Sequence, residues 1–272
     1  MPELPEVQTT LNGIKKFILN KRIKKCDVYV KKLRWELQKD LSTRINNAKI
    51  TDIRRKAKYI ILCGENFYLL FHLGMTGTLR IAKKNNELKK HDHFEIEINK
   101  NCLLRFNDPR KFGMIYCSRS WKSLSERFFL NIGPEPLSNN FSSEYLFSIS
   151  RNKNVAIKTL LMNAKNVAGI GNIYASEALF VAKIRPQKKS KKLSKNNCKN
   201  LVRAIKSVLK KAIEKGGSSI NDYINADGRT GYFQYDFKVY GRTSLPCHIC
   251  QSNILQIKIN QRSSFYCRNC QK

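Results

Sequence analysis

Two cysteine pairs near the C-terminal end constrain the fold more than any other feature of the sequence. They are CHIC at 247–250 and CRNC at 267–270, and sixteen residues separate them. This spacing is typical of a zinc ribbon, because each C-x2-C pair places two thiolates on one tight turn. Two pairs complete the tetrahedral four-sulfur shell of a structural zinc site, which leaves no ligand position open for catalysis. We therefore predict one structural Zn²⁺ ion, held by Cys247, Cys250, Cys267 and Cys270.

Two alternatives compete with this interpretation of the cysteines. His248 lies inside the first pair and could replace a sulfur ligand, although its place between two cysteines favours an exposed side chain. The four cysteines could also be unrelated thiols, which the two matched spacings disfavour. A tail of about 35 residues is too short to hold a hydrophobic core by itself. A metal ion would take the place of that core.

The segment between the cysteine pairs has the pattern of a β-hairpin. Ile254, Ile257 and Ile259 are followed by Phe265, which predicts two strands with NQRSS at 260–264 as the turn. Arg262 then lies at the tip of the hairpin. An arginine there is well placed to enter a DNA groove or to bind a phosphate.

The chain begins MPELPEV, which predicts both a helix start and an unusual amine. Apolar residues spaced by three or four predict the helix, and they are Leu4, Val7, Leu11, Ile14 and Ile18. Pro2 and Pro5 suit the first turn of that helix, and this role alone would explain them. Removal of the initiator methionine would also leave Pro2 as a free secondary amine, which is a possible nucleophile.

The charge balance points to a polyanionic partner. The 272 residues include 52 Lys+Arg against 20 Asp+Glu, a net charge of +32. Basic chains bind nucleic acid through phosphate contacts and counterion release. The sequence shows neither a targeting segment nor an apolar run of the roughly 20 residues that span a bilayer. We expect a cytoplasmic, nucleoid-associated protein whose five scattered cysteines are reduced core thiols.

The periodicity of the chain changes along its length and predicts an α+β fold. Short β-rich runs between 26 and 117 indicate a sandwich or a flattened barrel, and turn residues at 131–142 mark a hinge. Helical periodicity follows, with a helix, a glycine-containing break and a second helix over 156–184, and a longer helix over 197–217. We predict an N-terminal β-sandwich domain (1–132), a helix-two-turns-helix domain (133–235) and a zinc finger (236–272).

The glycine break in AGIGNIYASEAL, at 168–179, has two interpretations. The backbone N–H groups that lead into the second helix could bind an anion. A tight turn between two helices explains the glycines equally well. A dinucleotide-binding motif is disfavoured because no predicted strand precedes it.

Several motifs together resemble the formamidopyrimidine-DNA glycosylases, in the order in which that family carries them. They are MPELPEV, RKAKY (55–59), HLGMTGTLR (72–80), KHDHFE (90–95), NDPRKFG (107–113), GIGNIYASEALF (169–180), DGRTGYF (227–233) and QRSSFYCRNCQK (261–272). The related endonuclease VIII family shares the proline and the finger but typically has glycine in place of Leu4. The resemblance therefore favours excision of oxidised purines over excision of oxidised pyrimidines.

The resemblance implies a bifunctional DNA glycosylase and abasic-site lyase of base-excision repair. Pro2 would attack the sugar of a flipped 8-oxoguanine or formamidopyrimidine nucleotide and form a Schiff base, and β,δ-elimination would follow. Glu3 corresponds to the general acid/base, with Glu6 supporting it. Lys58 corresponds to the proton donor of β-elimination and Arg262 to the finger arginine of δ-elimination. A phosphate clamp suits Arg262 better than proton donation, because the pKa of a guanidinium exceeds about 12.

The resemblance also implies the DNA contacts. The expected DNA-binding residues are His91, Arg110, Lys153, Asn172 and Lys158, the last of them near the damaged base. Met75, Arg110 and Phe112 would fill the gap left by the flipped nucleotide. Lys111 stands where relatives often carry arginine, a change that weakens a bidentate contact but keeps the apolar wedge.

The expected partner is double-stranded DNA with oxidised purines, bound between the domains by a monomer that has no membrane contact. One rival function is an endonuclease VIII-like activity on oxidised pyrimidines. Another is a noncatalytic zinc-ribbon protein that only binds nucleic acid, which the presence of Pro2, Glu3 and Lys58 disfavours.

Overall fold

The computed structural model describes residues 1–99, 101–218 and 233–272, apart from the side chain of Tyr235. These residues form two compact units. The first contains Met1–Leu130 and, of the stretch Lys215–Tyr232, residues 215–218. The second contains Asn131–Glu214 and Phe233–Lys272. The motif DGRTGYF lies outside the described residues up to position 232, and the predicted domain boundaries stay predictions.

Within its described residues, the first unit contains three helices, of which the second is short, and eight strands. In chain order they are α1 (Leu4–Ile18), β1 (Lys25–Val28), α2 (Leu41–Ile45), β2 (Ile50–Lys56), β3 (Tyr59–Gly64), β4 (Tyr68–His72), β5 (Thr78–Ala82), β6 (Asp92–Asn99), β7 (Cys102–Asn107), β8 (Met114–Ser118) and α3 (Trp121–Phe129). The strands form two antiparallel sheets, with orders β1-β6-β7-β5 and β2-β3-β4-β8.

The two sheets share one hydrophobic core, which makes the first unit a β-sandwich. Phe71 of β4 lies 5.6 Å from Phe94 of β6 and 6.1 Å from Phe106 of β7, between ring centroids. All three rings are fully buried. The predicted sandwich is therefore confirmed.

Helix α1 packs into the same core through the face that its periodicity predicts. Val7, Ile14 and Ile18 belong to this core cluster and are 0 % exposed, and Leu11 is 4 % exposed. Burial of one such side chain contributes about 1.5–3 kcal/mol to folding. This packing fixes the direction of α1, and with it the position of the N-terminal residues.

The second unit consists of helices and a β-hairpin. Its elements are α4 (Ser143–Arg151), α5 (Ile157–Met162), α6 (Asn172–Val181), α7 (Lys195–Glu214), β9 (Ile254–Ile259) and β10 (Arg262–Cys267), with 3₁₀ turns at Ser190–Lys192 and Phe233–Asp236. The helix, the glycine-containing break and the second helix are as predicted. Within the described ranges, no helix has both the length and the apolar character needed to span a bilayer.

The cysteines divide into the two predicted groups. Five are buried free thiols, namely Cys26, Cys63, Cys102, Cys117 and Cys198. The other four come together at the base of the β9–β10 hairpin.

Candidate functional site

The N-terminus of α1 carries a buried pair of carboxylates. Glu3 is the residue that caps the helix, and its backbone N–H donates to Glu6 Oε2 at 2.9 Å, as in a capping box. Glu3 is 3 % exposed and Glu6 is 2 % exposed. Pro2 directly precedes them and is also buried. The predicted nucleophile Pro2 and its predicted acid/base Glu3 are therefore adjacent buried residues at the positive end of a helix.

Glu6 is held from a second side by residues that are distant in sequence. Its Oε1 accepts hydrogen bonds from the Ser218 backbone N–H at 2.8 Å and from the Ser218 hydroxyl at 3.0 Å. Gly217 has a φ of +79°, and a Cβ atom there would lie 3.1 Å from Glu6 Oε1. Glycine suits this backbone conformation and this close approach. These contacts leave Glu6 little freedom to leave the helix start.

The surroundings of the chain terminus favour a neutral amine. Burial lowers the pKa of the Met1 amino group below its ordinary value of 8.0. The cations Lys58 and Arg110 act in the same direction, whereas Glu3 and Glu6 oppose it. Lys58 lies in the turn between β2 and β3, after Ala57 with a φ of +52°. The first unit thus brings Lys58 within electrostatic reach of the terminus, 57 positions away in the chain.

Two loops bring together the residues predicted to fill the gap in the DNA. Met75 is 42 % exposed and Phe112 is 45 % exposed. Large apolar side chains are usually buried in the core, and these two are not. The Arg110 guanidinium lies 4.7 Å from the centroid of the Phe112 ring. The Arg110 backbone N–H donates to Thr76 Oγ1 at 3.3 Å, next to Met75. The three side chains are thus presented on adjacent loops of the first unit.

His91 belongs to the same neighbourhood. It precedes β6 with a φ of +77°, and its carbonyl oxygen accepts the Asp108 N–H at 3.1 Å. Its ring lies 6.2 Å from that of His93. The predicted phosphate contact at His91 stays a prediction, made from a position beside the gap-filling loops.

In the second unit, Asn172 begins α6 and Lys153 lies in an exposed loop, and their predicted phosphate contacts stay predictions. Asn172 is the first residue of α6, and Gly171 precedes it in an extended conformation. Its Oδ1 is buried and has no hydrogen-bond partner within the described residues. Lys153 is exposed in the loop after α4. Both alternatives for the glycine break therefore remain.

Lys158 has surroundings that differ from those expected of a base contact. It is 1 % exposed on α5, and its ammonium group donates to the Ser263 carbonyl oxygen at 3.0 Å and to Ser264 Oγ at 2.7 Å. These two residues belong to β10 of the finger hairpin. Lys158 thus fastens the hairpin to α5 in this conformation, and its predicted DNA contact stays a prediction.

We expect Lys158→Met to lower the free energy of unfolding by about 1–3 kcal/mol, because Ser263 and Ser264 would lose a buried donor. Urea denaturation measures the change. Lys210→Met is the matched control, since Lys210 is exposed on α7 and the two side chains have similar helix propensity. Equal stability of the Lys158 variant would show that the cost of burying the ammonium offsets its hydrogen bonds.

The four predicted metal ligands form a compact sulfur cluster. The Sγ atoms of Cys247, Cys250, Cys267 and Cys270 all lie within 4.8 Å of one another. Cys247 and Cys270 are 3.9 Å apart, and Cys250 and Cys267 are 3.4 Å apart. A tetrahedral site with Zn–S bonds of about 2.3 Å requires S···S separations of about 3.8 Å. The cluster therefore fits a structural metal site.

Backbone N–H groups and burial both act on the charge state of these sulfurs. The N–H groups of Ile249 and Cys270 point to Cys247 Sγ and Cys267 Sγ at 3.5 Å and 3.4 Å. Burial, followed by the neighbouring sulfurs, raises the pKa of Cys270 to about 12. Metal binding would release the proton of this thiol, because the thiolate is the metal ligand. His248 is exposed and outside the cluster, as predicted.

The hairpin is tighter than the sequence suggested. Asn260 and Gln261 both have positive φ values, 46° and 59°, and form a two-residue turn between Ile259 and Arg262. The predicted five-residue turn NQRSS is wrong, because Arg262, Ser263 and Ser264 already pair in β10. Arg262 remains exposed directly after the turn.

Sequence reasoning assigned no role to three buried polar residues that organise these sites. Asp108 accepts hydrogen bonds from both gap-filling loops. Glu177 of α6 accepts three backbone N–H groups at 238–240, and Gln271 joins the Cys267 N–H to the Ile184 carbonyl. All three lie inside the motifs quoted above, so the motifs could have marked them as functional candidates. Their partners are too distant in sequence to be inferred.

An N-terminal helix on a β-sandwich, a helix-two-turns-helix and a four-cysteine hairpin define a DNA glycosylase of the helix-two-turns-helix class. The pattern of the formamidopyrimidine-DNA glycosylase N-terminal domain matches residues 1–115, and that of the H2TH domain of the same family matches residues 132–223. The chain belongs to the formamidopyrimidine-DNA glycosylase family.

Known proteins of this family resemble the chain along its whole length. A formamidopyrimidine-DNA glycosylase of Haemophilus influenzae is 47 % identical over 274 residues, which cover 100 % of this chain and 99 % of that protein. One of Rickettsia bellii is 45 % identical, with 100 % of both chains covered. A Lactococcus lactis enzyme bound to DNA with a formamidopyrimidine lesion has a TM-score of 0.92, 33 % identity and full coverage of both chains. The same enzyme bound to abasic-site DNA covers 99 % of each chain, with a TM-score of 0.91 and 32 % identity.

This similarity establishes the activity class. The chain is a bifunctional DNA glycosylase and abasic-site lyase that acts on oxidised purine lesions in DNA. The Lactococcus lactis enzyme has been crystallised with DNA that contains a formamidopyrimidine lesion or an abasic site.

Proposed function

We propose that Pro2, freed by removal of Met1, is the nucleophile of this enzyme. The observation that carries the proposal is the buried helix start, where Glu3 and Glu6 adjoin Pro2 and where burial, Lys58 and Arg110 lower the pKa of the neighbouring Met1 amine. A lowered pKa leaves a larger fraction of the amine neutral, and only the neutral amine has a lone pair for attack.

The reaction follows from the chemistry of a secondary amine. The Pro2 nitrogen attacks C1′ of the damaged nucleotide, the bond from C1′ to the base breaks, and the base leaves with a proton. Opening of the C1′–O4′ bond, with proton transfer to O4′, gives an iminium between Pro2 and C1′. This iminium acidifies the C2′ proton, and loss of that proton expels the 3′-phosphate. A second elimination then expels the 5′-phosphate.

Each predicted catalytic residue has a proton or phosphate task in this scheme. Glu3 acts as general acid/base beside the amine. Lys58 donates a proton during β-elimination. Arg262 clamps a phosphate for δ-elimination, which its exposed place on the finger hairpin supports.

We further propose a duplex with 8-oxoguanine or a formamidopyrimidine opposite cytosine as the substrate. Extrusion of the damaged nucleotide leaves a gap. Met75 and Phe112, exposed on adjacent loops, supply the apolar wedge, and Arg110 supplies hydrogen-bond donors for the orphaned cytosine. His91, Lys153 and Asn172 bind phosphates.

The metal of the four-cysteine cluster is proposed to be one Zn²⁺ ion. Its donor set is four sulfurs at tetrahedral spacing, which suits zinc and leaves no open position. Bound there, zinc supplies structural stabilisation of the hairpin and no catalysis. The enzyme is proposed to act as a monomer in the cytoplasm, where the nucleoid provides its substrate.

The rival activity on oxidised pyrimidines has support from one relative. The Lactococcus lactis enzyme, 33 % identical, has been crystallised on DNA with an oxidised pyrimidine. Single-turnover cleavage of matched duplexes with 8-oxoguanine or dihydrothymine therefore tests the proposal. Faster cleavage of the 8-oxoguanine duplex is expected, and a faster pyrimidine reaction would favour the rival.

We expect Phe112→Ala to slow excision of 8-oxoguanine about tenfold while sparing cleavage of a preformed abasic site. An abasic nucleotide needs less extrusion, so loss of the wedge matters less there.

Arg110→Ala should instead reduce the preference for cytosine over adenine opposite the lesion. Equal loss of both activities in Phe112→Ala would assign that ring to the fold, and an unchanged preference would exclude Arg110 from recognition.

A further inference from the structure

A buried carboxylate connects the two loops that carry the gap-filling residues. Asp108 follows β7 and is 0 % exposed. Its Oδ1 accepts the Thr76 hydroxyl at 2.6 Å, and its Oδ2 accepts the Gly113 backbone N–H at 2.7 Å. Thr76 is the neighbour of Met75, and Gly113 is the neighbour of Phe112. One side chain therefore bonds to both loops beside their exposed apolar residues.

The backbone of Asp108 extends this network to the other predicted recognition residues. Its carbonyl oxygen accepts from His93 Nε2 at 2.9 Å and from the Lys111 N–H at 3.2 Å. Its own N–H donates to the His91 carbonyl at 3.1 Å. Thr76 Oγ1, bonded to the carboxylate, accepts the Arg110 N–H. The hydrogen-bond network around Asp108 therefore includes His91 and Arg110 themselves and the neighbours of Met75 and Phe112.

The two loops are also in direct backbone contact. Gly74 has a φ of +63°, and a Cβ atom there would lie 2.5 Å from the carbonyl carbon of Phe112 and from the nitrogen of Gly113. A Cβ atom at Gly113 would lie 2.9 Å from Asp108 Oδ2. Such close packing requires the absence of both Cβ atoms. The loops can keep this approach only while their polar groups remain satisfied, and the buried carboxylate satisfies two of them.

We propose that Asp108 is a positioning residue for lesion recognition. It contacts no DNA, and it acts by holding Met75, Arg110 and Phe112 as one preformed unit. Charge-assisted hydrogen bonds are stronger than neutral ones, so the carboxylate resists separation of the loops when they enter the duplex. The inference rests on the proposed function of those three residues in the vacated base stack.

The test compares four variants on three duplexes, with 8-oxoguanine opposite cytosine, 8-oxoguanine opposite adenine, and a preformed abasic site. Asp108→Ala removes both bonds. Thr76→Val removes only the bonds through the hydroxyl, and Thr76→Ser restores them. Glu95→Gln is the stability control, because it weakens a part-buried ion pair with Arg105 between β6 and β7 without touching either loop.

Asp108→Ala should slow excision of 8-oxoguanine opposite cytosine about tenfold and reduce the cytosine preference several-fold, since two charge-assisted bonds are lost. Abasic-site cleavage should change by less than about threefold, because extrusion contributes less there. Thr76→Val should shift both quantities in the same direction by a smaller factor, and Thr76→Ser should match the unmodified enzyme. Glu95→Gln should lower the melting temperature but keep the ratios.

Other results would contradict either the positioning role of Asp108 or the proposed recognition function. Equal losses on the lesion and abasic duplexes, or ratios in Asp108→Ala and Thr76→Val no different from those in Glu95→Gln, would overturn the positioning role. If Asp108→Ala does not fold, the Thr76→Val and Thr76→Ser pair carries the same test. An unmodified enzyme that lacks cytosine preference would instead refute the proposed recognition function, whatever Asp108 does.

Discussion

An enzyme whose Pro2 nitrogen is blocked by a retained Met1 will form no borohydride-trapped adduct with an 8-oxoguanine duplex. Two preparations of the same chain make the comparison, one starting at Pro2 and the other with Met1 retained. In the retained form the Pro2 nitrogen belongs to a peptide bond, whose resonance removes the lone pair needed for attack. We expect base excision to fall by at least about a thousandfold, the scale seen when other enzymes lose a nucleophile.

A binding control separates loss of chemistry from loss of substrate. Both preparations should bind a duplex with a stable abasic-site analogue with similar affinity, because the phosphate contacts proposed for His91, Lys153 and Asn172 do not involve the terminus. Peptide mapping of the trapped adduct should place the linkage at Pro2. Undiminished adduct formation with Met1 in place would refute the proline mechanism.

The lowered pKa of the terminal amine also predicts the pH dependence of trapping. Burial, Lys58 and Arg110 disfavour the ammonium form of the Met1 amine, and we expect the same surroundings to lower the pKa of the Pro2 amine that removal of Met1 exposes. Lys58→Gln removes one of these cations and should move the rising limb of the trapping rate to higher pH. A limb that moves to lower pH would contradict the electrostatic argument.

Local sequence patterns predicted the elements of the fold because each pattern reflects contacts between near neighbours. The spacing of Leu4, Val7 and Leu11 follows the helix period, and their burial confirms it. The C-x2-C pairs predicted the sulfur cluster because each pair lies on one local turn. The alternation of apolar residues predicted the hairpin but not the length of its turn. The turn length and the strand register depend on the positive φ values of Asn260 and Gln261.

The residues that hold the sites in place were beyond such patterns because their partners are distant. Thr76 bonds to Asp108 across 32 positions, Lys158 to Ser264 across 106, and Ser218 to Glu6 across 212. A buried carboxylate or ammonium has no period of its own, and its role depends on which donors the fold delivers. The family resemblance implied a contact near the damaged base for Lys158, whereas its buried bonds to the hairpin emerge only from the structure.

Cys267→Ser should abolish metal binding and weaken binding to duplex DNA at least about tenfold. The finger has a small hydrophobic cluster, with Phe180, Val239, Ile254 and Phe265 around Cys247 and Cys267. In zinc-finger peptides the metal contributes about 10–16 kcal/mol, more than so few side chains replace. Without the metal the hairpin should lose its fixed register, and Arg262 its fixed position.

Metal content by mass spectrometry and duplex affinity at one salt concentration measure the two effects together. Cys198→Ser is the matched control, because Cys198 is a buried thiol of α7 outside the cluster. It should keep one metal ion and its DNA affinity. Addition of zinc to the Cys267 variant should restore neither property, since three sulfurs leave the tetrahedral shell incomplete. A metal-free Cys267 variant that binds duplex DNA as tightly as the control would show that the hairpin holds Arg262 in place without its metal.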